Sequence, residues 1–222
     1  LGIVAACLAN AVPIGGGIVY IPALALLGAD IHLSAAFTIA TMSVGNGVFG
    51  FLRWILRDSS LVIWETLYCA VLPSWIGSLV AYLLLPPLTT AVIRLLFAVL
   101  CLMVAVLVAA AAYYETLDKL LSALSFPPLP SLTSRSSLLL LLVISFLGGI
   151  FLVPAIGIGP ALLTFLHLSL MQYPPQAALV TGIAVGGWVC WVPFVYHIVV
   201  LQDVPYDLWL MVLPGVYYGA KV

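Results

Sequence analysis

From Ser136 to Gln202 the chain runs for 67 residues without one aspartate, glutamate, lysine or arginine. A soluble domain carries about 25% charged residues, so water is not the main solvent of such a stretch. Leu1–Ala29, Ile31–Leu52, Thr66–Ile93 and Leu95–Tyr114 are equally bare. A helix needs about 20 apolar residues to cross a ~30 Å hydrocarbon core. Each shorter run therefore holds one pass, and the longest holds two or three. The runs lack the alternation of barrel strands, and in lipid the backbone must bond internally. The fold class is all-α: a polytopic, integral membrane protein, expected in the cell (plasma or inner) membrane, with the lipid bilayer as its principal partner. With 6% charged residues and a net charge of −1, it offers no basic surface for nucleic acid.

Seven helical segments are predicted: Leu1–Gly28, His32–Leu56, Leu61–Leu85, Leu88–Ala112, Leu138–Met171, Gln176–Val200 and one from Tyr206 onward. Pro86-Pro87 ends the third, because proline lacks a donor and clashes with the preceding turn. Between Tyr113 and Ser137 lies the longest polar stretch, read as a short interfacial helix followed by linker around FPPLP. The linker separates two copies of one unit, 1–112 and 138–222. Gly15, Gly17, Ala35-Ala36 and Gly45 recur as Gly157, Gly159, Ala177-Ala178 and Gly187 at a spacing of 142, and LYCAVLP (Leu67–Pro73) recurs as LWLMVLP (Leu208–Pro214) at 141. Apolar strings match easily by chance, but glycines, a proline and an alanine pair holding one register do not. Each repeat has about four helical segments, and the mate of segment 4 would fall beyond residue 222.

Segment 1 contains VPIGGGIVYIP, with Pro13, Gly15, Gly16, Gly17 and Pro22. Segment 5 contains VPAIGIGP, with Pro154, Gly157, Gly159 and Pro160. Proline and glycine disfavour a helix interior by about 3 and 1 kcal/mol relative to alanine, so each cluster breaks its helix. Within a bilayer, broken backbone is tolerated only where protein buries it or a wet cavity lines it. Paired breaks in matching positions of two halves point to a transporter's binding site, and the freed N–H groups form a cradle for an anion. Close helix packing is the competing use of membrane glycines. Asn10 before the first break, Thr38, Thr41 and Asn46 in the following helix, and Thr181 in segment 6 are the polar side chains expected to complete the site. Thr38 and Thr41 could equally bond back to their own helix. No acidic or basic group is expected to reach the ligand, Arg94 and Lys221 being the nearest threats.

The strings GGGIVYIPALALLGADIHLSAAFTIAT and GIGPALLTFLHLSLMQYPPQAALVTGIA, with VPY at Val204–Tyr206, resemble the two signatures of the sulfite exporter TauE/SafE family. The second signature usually has more glycine than GIGPA, and Pro13 stands where glycine is frequent. The resemblance implies a secondary transporter that exports a small anion of the sulfite or organosulfonate class, coupled to an ion gradient. The alternatives are an intramembrane enzyme and a non-transporting membrane subunit. Against the enzyme, the sequence has no HExxH pair, no GxS elbow and no acidic dyad within a span, so no catalytic residue, metal ligand or cofactor is assigned. Cys7, Cys69, Cys101 and Cys190 lie singly in apolar runs and read as small core residues. A homo-oligomer is compatible with this reading. His167 and His197 are candidate proton relays, weighed against ordinary hydrogen bonding, and Trp188, Trp191 and Tyr196 read as packing.

Segments 1 and 5 are too long and too broken for simple passes. Straight passes would give each repeat four crossings and parallel halves; if each segment turns back at its glycines, each repeat crosses three times and the halves are inverted, the arrangement favoured here. Arg53 and Arg57 before the second loop, against Asp203 and Asp207 at its mate, put those loops on opposite faces, the arginines and the Lys119/Arg135 linker facing the cytoplasm.

Overall fold

The computed structural model describes residues 2–11, 15–113, 135–157 and 160–220. Among them every regular element is helical: α1 Gly2–Ala11, α2 Gly17–Leu26, α3 Ile31–Val44, a π-helical stretch Gly45–Gly50, α4 Phe51–Asp58, α5 Trp64–Leu84, α6 Thr90–Tyr113, α7 Arg135–Phe151, α8 Val153–Ile156, α9 Ala161–Leu170, α10 Pro175–Val189, α11 Trp191–Tyr196, a second π-helical stretch His197–Leu201, and α12 Tyr206–Gly219. The interfacial helix and linker expected between Tyr113 and Ser137 lie outside the described residues, apart from the start of α7.

Among the described residues, three continuous helices are long and apolar enough to cross a membrane: Ile31–Leu61, Trp64–Leu84 and Pro175–Leu201. Local chemistry sets their ends. Asp30 accepts a bond from the His32 N–H at 2.8 Å and caps α3. Asp58 does the same for Ser60 at 3.0 Å in the turn before α5. Pro175 begins α10 at a position where its missing N–H costs nothing.

Ile31–Leu61 and Pro175–Leu201 form the centre, 78% and 72% buried against 33% for α5. They run antiparallel. The beginning of the first (His32, Ala35) shares a cavity with the end of the second (Tyr196, His197). At the other end Thr181, early in α10, accepts a bond from the Ile63 N–H at 3.0 Å. Midway, Gly47 and Gly187 meet backbone to backbone, and a Cβ on Gly187 would overlap Gly47.

The remaining helices fold around this crossing. Near the start of α7, Ser137 lies 3.5 Å from both His167 and Met171 toward the end of α9, while Gly148 near its other end packs on Pro160. The two arms are therefore antiparallel. Helix α7 lies parallel to α5, where the Ser74 and Ser78 hydroxyls donate to the Ser145 and Gly149 carbonyls at 2.8 and 3.1 Å. Helix α1 lies parallel to α12 in the same manner: Gly215 packs on Ile3, and the Cys7 thiol donates to the Gly219 carbonyl at 3.6 Å. Asp58 and Asp203 sit at opposite ends of α5, whose 21 residues span about 30 Å. The first adjoins its start, and the second shares a cavity with Leu85 just past its end.

Candidate functional site

Both glycine turns close on the middle of α3. Gly15 and Gly157 each have positive φ, 83° and 61°, the left-handed region that glycine enters without a side-chain clash. After the first turn α2 begins at Gly17, and the N–H of Gly16 points at the Met42 sulfur, 3.0 Å away. A Cβ on Gly15 would lie 2.9 Å from the Met42 methyl carbon. The second turn lies about one helical turn along α3, where a Cβ on Gly157 would come within 2.9–3.1 Å of Ile39 and Thr38. Its carbonyl accepts a bond from the Cys190 thiol at 3.5 Å. Gly186 of α10 completes the ring, with Ala161 at the start of α9 on one side and the Met42 methyl, 4.0 Å from an added Cβ, on the other. The thioether of Met42 thus lies among residues at the starts of both half-helices, where free N–H groups accumulate.

Of the residues expected to form the site, Gly15, Gly16, Gly17, Gly157 and Thr38 come together here. Gly159 lies outside the described residues. Thr38 presents its methyl, because its hydroxyl donates to the Ser34 carbonyl at 2.8 Å. The Thr41 hydroxyl is likewise returned to the Phe37 carbonyl at 2.8 Å. Asn46 is buried in the π-helical stretch and donates to the Ala9 carbonyl at 3.4 Å. Asn10 donates to the Ala6 carbonyl, leaving its own carbonyl oxygen unpartnered beside Gly50. Thr181 does different work: its hydroxyl holds the turn at Leu61–Ile63 and is not offered to the glycine turns. Arg94 lies on the exposed side of α6, and Lys221 lies outside the described residues.

Several polar groups at or near this centre were not singled out from the sequence. The Tyr20 hydroxyl in the first turn of α2 and the Thr164 hydroxyl in the first turn of α9 are buried without partners, and the Tyr20 ring covers Gly16. The indole N–H groups of Trp188, Trp191 and Trp209 are also buried and unpartnered. Trp191 reaches the crossing itself, its nitrogen 2.9 Å from a Cβ on Gly47. An indole donates and cannot accept, and buried donors without acceptors are uncommon. In the sequence, Tyr20 and Thr164 share one signal: each is the fourth residue of a half-helix that follows a glycine turn. Met42 carries none.

Paired glycine breaks that meet at one buried centre of a helical membrane protein are a feature of membrane transporters. The chain belongs to the sulfite exporter TauE/SafE family, whose sequence model matches residues 1–222. That membership makes it a membrane transporter of sulfite or related anions. Comparison with curated proteins and with solved structures returns no match.

Proposed function

We propose that this protein is a secondary transporter that exports sulfite or a small organosulfonate, binding the anion where Met42 now lies. The observation that carries the reading is the Gly16 N–H bonded to the Met42 sulfur. Sulfur is a weak acceptor, so an oxyanion can displace it, collecting the Gly16 N–H and those at the start of α9. The hydroxyls of Tyr20 and Thr164 supply further neutral donors, and the site needs no buried cation to offset the charge.

The architecture that serves this function is an inverted duplication, 1–112 against 138–222, with α1–α2 and α7–α9 as re-entrant hairpins. Three observations support it. Gly15 and Gly157 share a left-handed conformation at a spacing of 142. The contacts Ser74–Ser145 and Ser78–Gly149 reappear at equivalent positions as Gly215–Ile3 and Gly219–Cys7. The matched central helices run in opposite directions. With Arg53 and Arg57 facing the cytoplasm, the cavity beside His197 opens on the opposite face.

The test is exchange in liposomes containing the purified protein and preloaded with sulfite, methanesulfonate, sulfate or chloride. Labelled sulfite or methanesulfonate should exchange faster than chloride. Gly16→Val, which drives a branched side chain into Tyr20, should abolish exchange while the protein still inserts. Absence of exchange with every anion, or wild-type rates in Gly16→Val, overturns the reading.

A further inference from the structure

Away from the glycine turns, one cavity of about 230 Å³ opens at the end of the molecule opposite Asp58. Its polar wall is a chain of three side chains, two of them six residues apart and the third 115 positions away. Asp203 Oδ1 lies 2.7 Å from His197 Nδ1, and His197 Nε2 lies 3.1 Å from the Tyr82 hydroxyl. His197 is only 6% exposed, whereas the Asp203 side chain is 35% exposed at the rim. The chain therefore leads from a wetted carboxylate to a buried phenol. His197 also opens the second π-helical stretch, which ends against Gln202 at φ 53°. Such stretches recur at functional sites in helices.

We propose that Tyr82, His197 and Asp203 form a proton-exchange site on the non-cytoplasmic rim that couples anion movement to protons. This rests on the transporter reading above. An ionised carboxylate can only accept, so Asp203 fixes the hydrogen on Nδ1 and leaves Nε2 to accept from the Tyr82 hydroxyl. A proton arriving through the cavity binds Nε2. The Tyr82 hydroxyl must then turn from donor to acceptor, and the His197–Asp203 pair goes from one negative charge to neutral. The other ionisable groups facing this chain are Tyr196, stacked on Tyr82 at 4.3 Å, Cys190 near Tyr82, and His32 across the cavity. The walls from α6, α7 and α8 present Ile93, Phe151 and Pro154, so no second carboxylate or fixed cation among the lining residues competes for the proton.

Two features tie the site to transport. His197 continues the helix that carries Gly186 and Gly187, so the Tyr82–His197 bond links α5 to the element that crosses α3 beside Met42. The positions matching His197 and Asp203 in the first half are Ile55 and Leu61, which do not titrate. The matched positions of the first half thus hold no proton-binding pair, an asymmetry that gives direction to a cycle.

The experiment uses methanesulfonate, an anion that stays ionised throughout the working range, in proteoliposomes carrying a luminal pH dye. Two rates are read from one preparation: exchange of labelled methanesulfonate at equal pH, and its accumulation under an imposed pH gradient. Wild-type protein should accumulate the anion with a matching dye signal. His197→Gln and Asp203→Asn should exchange measurably yet lose gradient-driven accumulation at least tenfold, and Tyr82→Phe should move the pH profile of exchange. The proposal is overturned if wild-type protein exchanges methanesulfonate but does not accumulate it under the pH gradient, accumulates it without a dye signal, or if His197→Gln accumulates it like the wild type. If the wild type does not exchange methanesulfonate at all but exchanges sulfite, the same comparison is run with sulfite, the liposome background subtracted. If it exchanges neither, the transporter reading fails and this proposal falls with it.

Discussion

The two glycine turns share a backbone conformation but meet very different neighbours. Gly15 faces the tip of an unbranched, flexible thioether, which can swing aside. Gly157 is wedged against α3 itself, with the Ile39 backbone nitrogen 3.1 Å from where a Cβ would sit and the Cys190 thiol on its carbonyl. Methionine adapts to irregular gaps, whereas packed backbone does not yield. The first turn is thus built to change its contacts and the second to hold still. The proposed binding centre, assembled from two related halves, needs both: a fixed wall, and a wall that an incoming ligand can remake.

The comparison presupposes that the halves are inverted, and the sharpest way to break it is all-or-none. In a variant with the four native cysteines replaced by alanine, Asp58→Cys and Asp207→Cys should react with a membrane-impermeant maleimide from opposite faces. Reaction of both from one face would remove the inversion, and with it any equivalence between the turns.

Next in size is the contrast between alanine substitutions. Gly157→Ala combines left-handed strain with overlap against backbone and should cost about 2–4 kcal/mol, seen as a lower unfolding temperature in detergent. Gly15→Ala carries the backbone strain alone, about 1–2 kcal/mol, because Met42 can give way. Equal losses would mean that the turns are equivalently packed. The smallest effect is expected from Met42→Leu, which keeps the volume but removes the acceptor that the anion must displace. Its KM for the transported anion should fall about fivefold, corresponding to one weak hydrogen bond of ~1 kcal/mol. An unchanged KM would show that the thioether does not compete for the Gly16 N–H.

How far these features could be read in advance depends on the range of the force that makes them. Helices α5 and α6 run Trp64–Leu84 and Thr90–Tyr113, against expected limits of Leu61–Leu85 and Leu88–Ala112, because a proline pair and an uncharged length are local signals. The glycine turns were legible for the same reason. The π-helical stretch at Gly45–Gly50 was not: it arises where two glycine-lined helices cross, and nothing within six residues encodes the partner. Thr181 illustrates the same limit from the other side. Its place among apolar residues suggested a ligand contact, but its partners at Leu61 and Ile63 lie 120 and 118 positions away. Met42, and the chain from Tyr82 through His197 to Asp203, likewise depend on tertiary placement of ordinary residues.

The parallel pairing of α1 with α12 and of α5 with α7 has a consequence for how the molecule is made. Each hairpin's first arm docks on a helix from the opposite half, and the Cys7–Gly219 contact closes over 212 positions. Until α12 has been made, the face of α1 that carries Gly2 and Ala6 lacks the partner that covers it. Completion of this pair therefore waits on α12. Fragments 1–112 and 138–222, made separately, should regain activity only when they meet in the same membrane, since α1 pairs with α12 and α5 with α7.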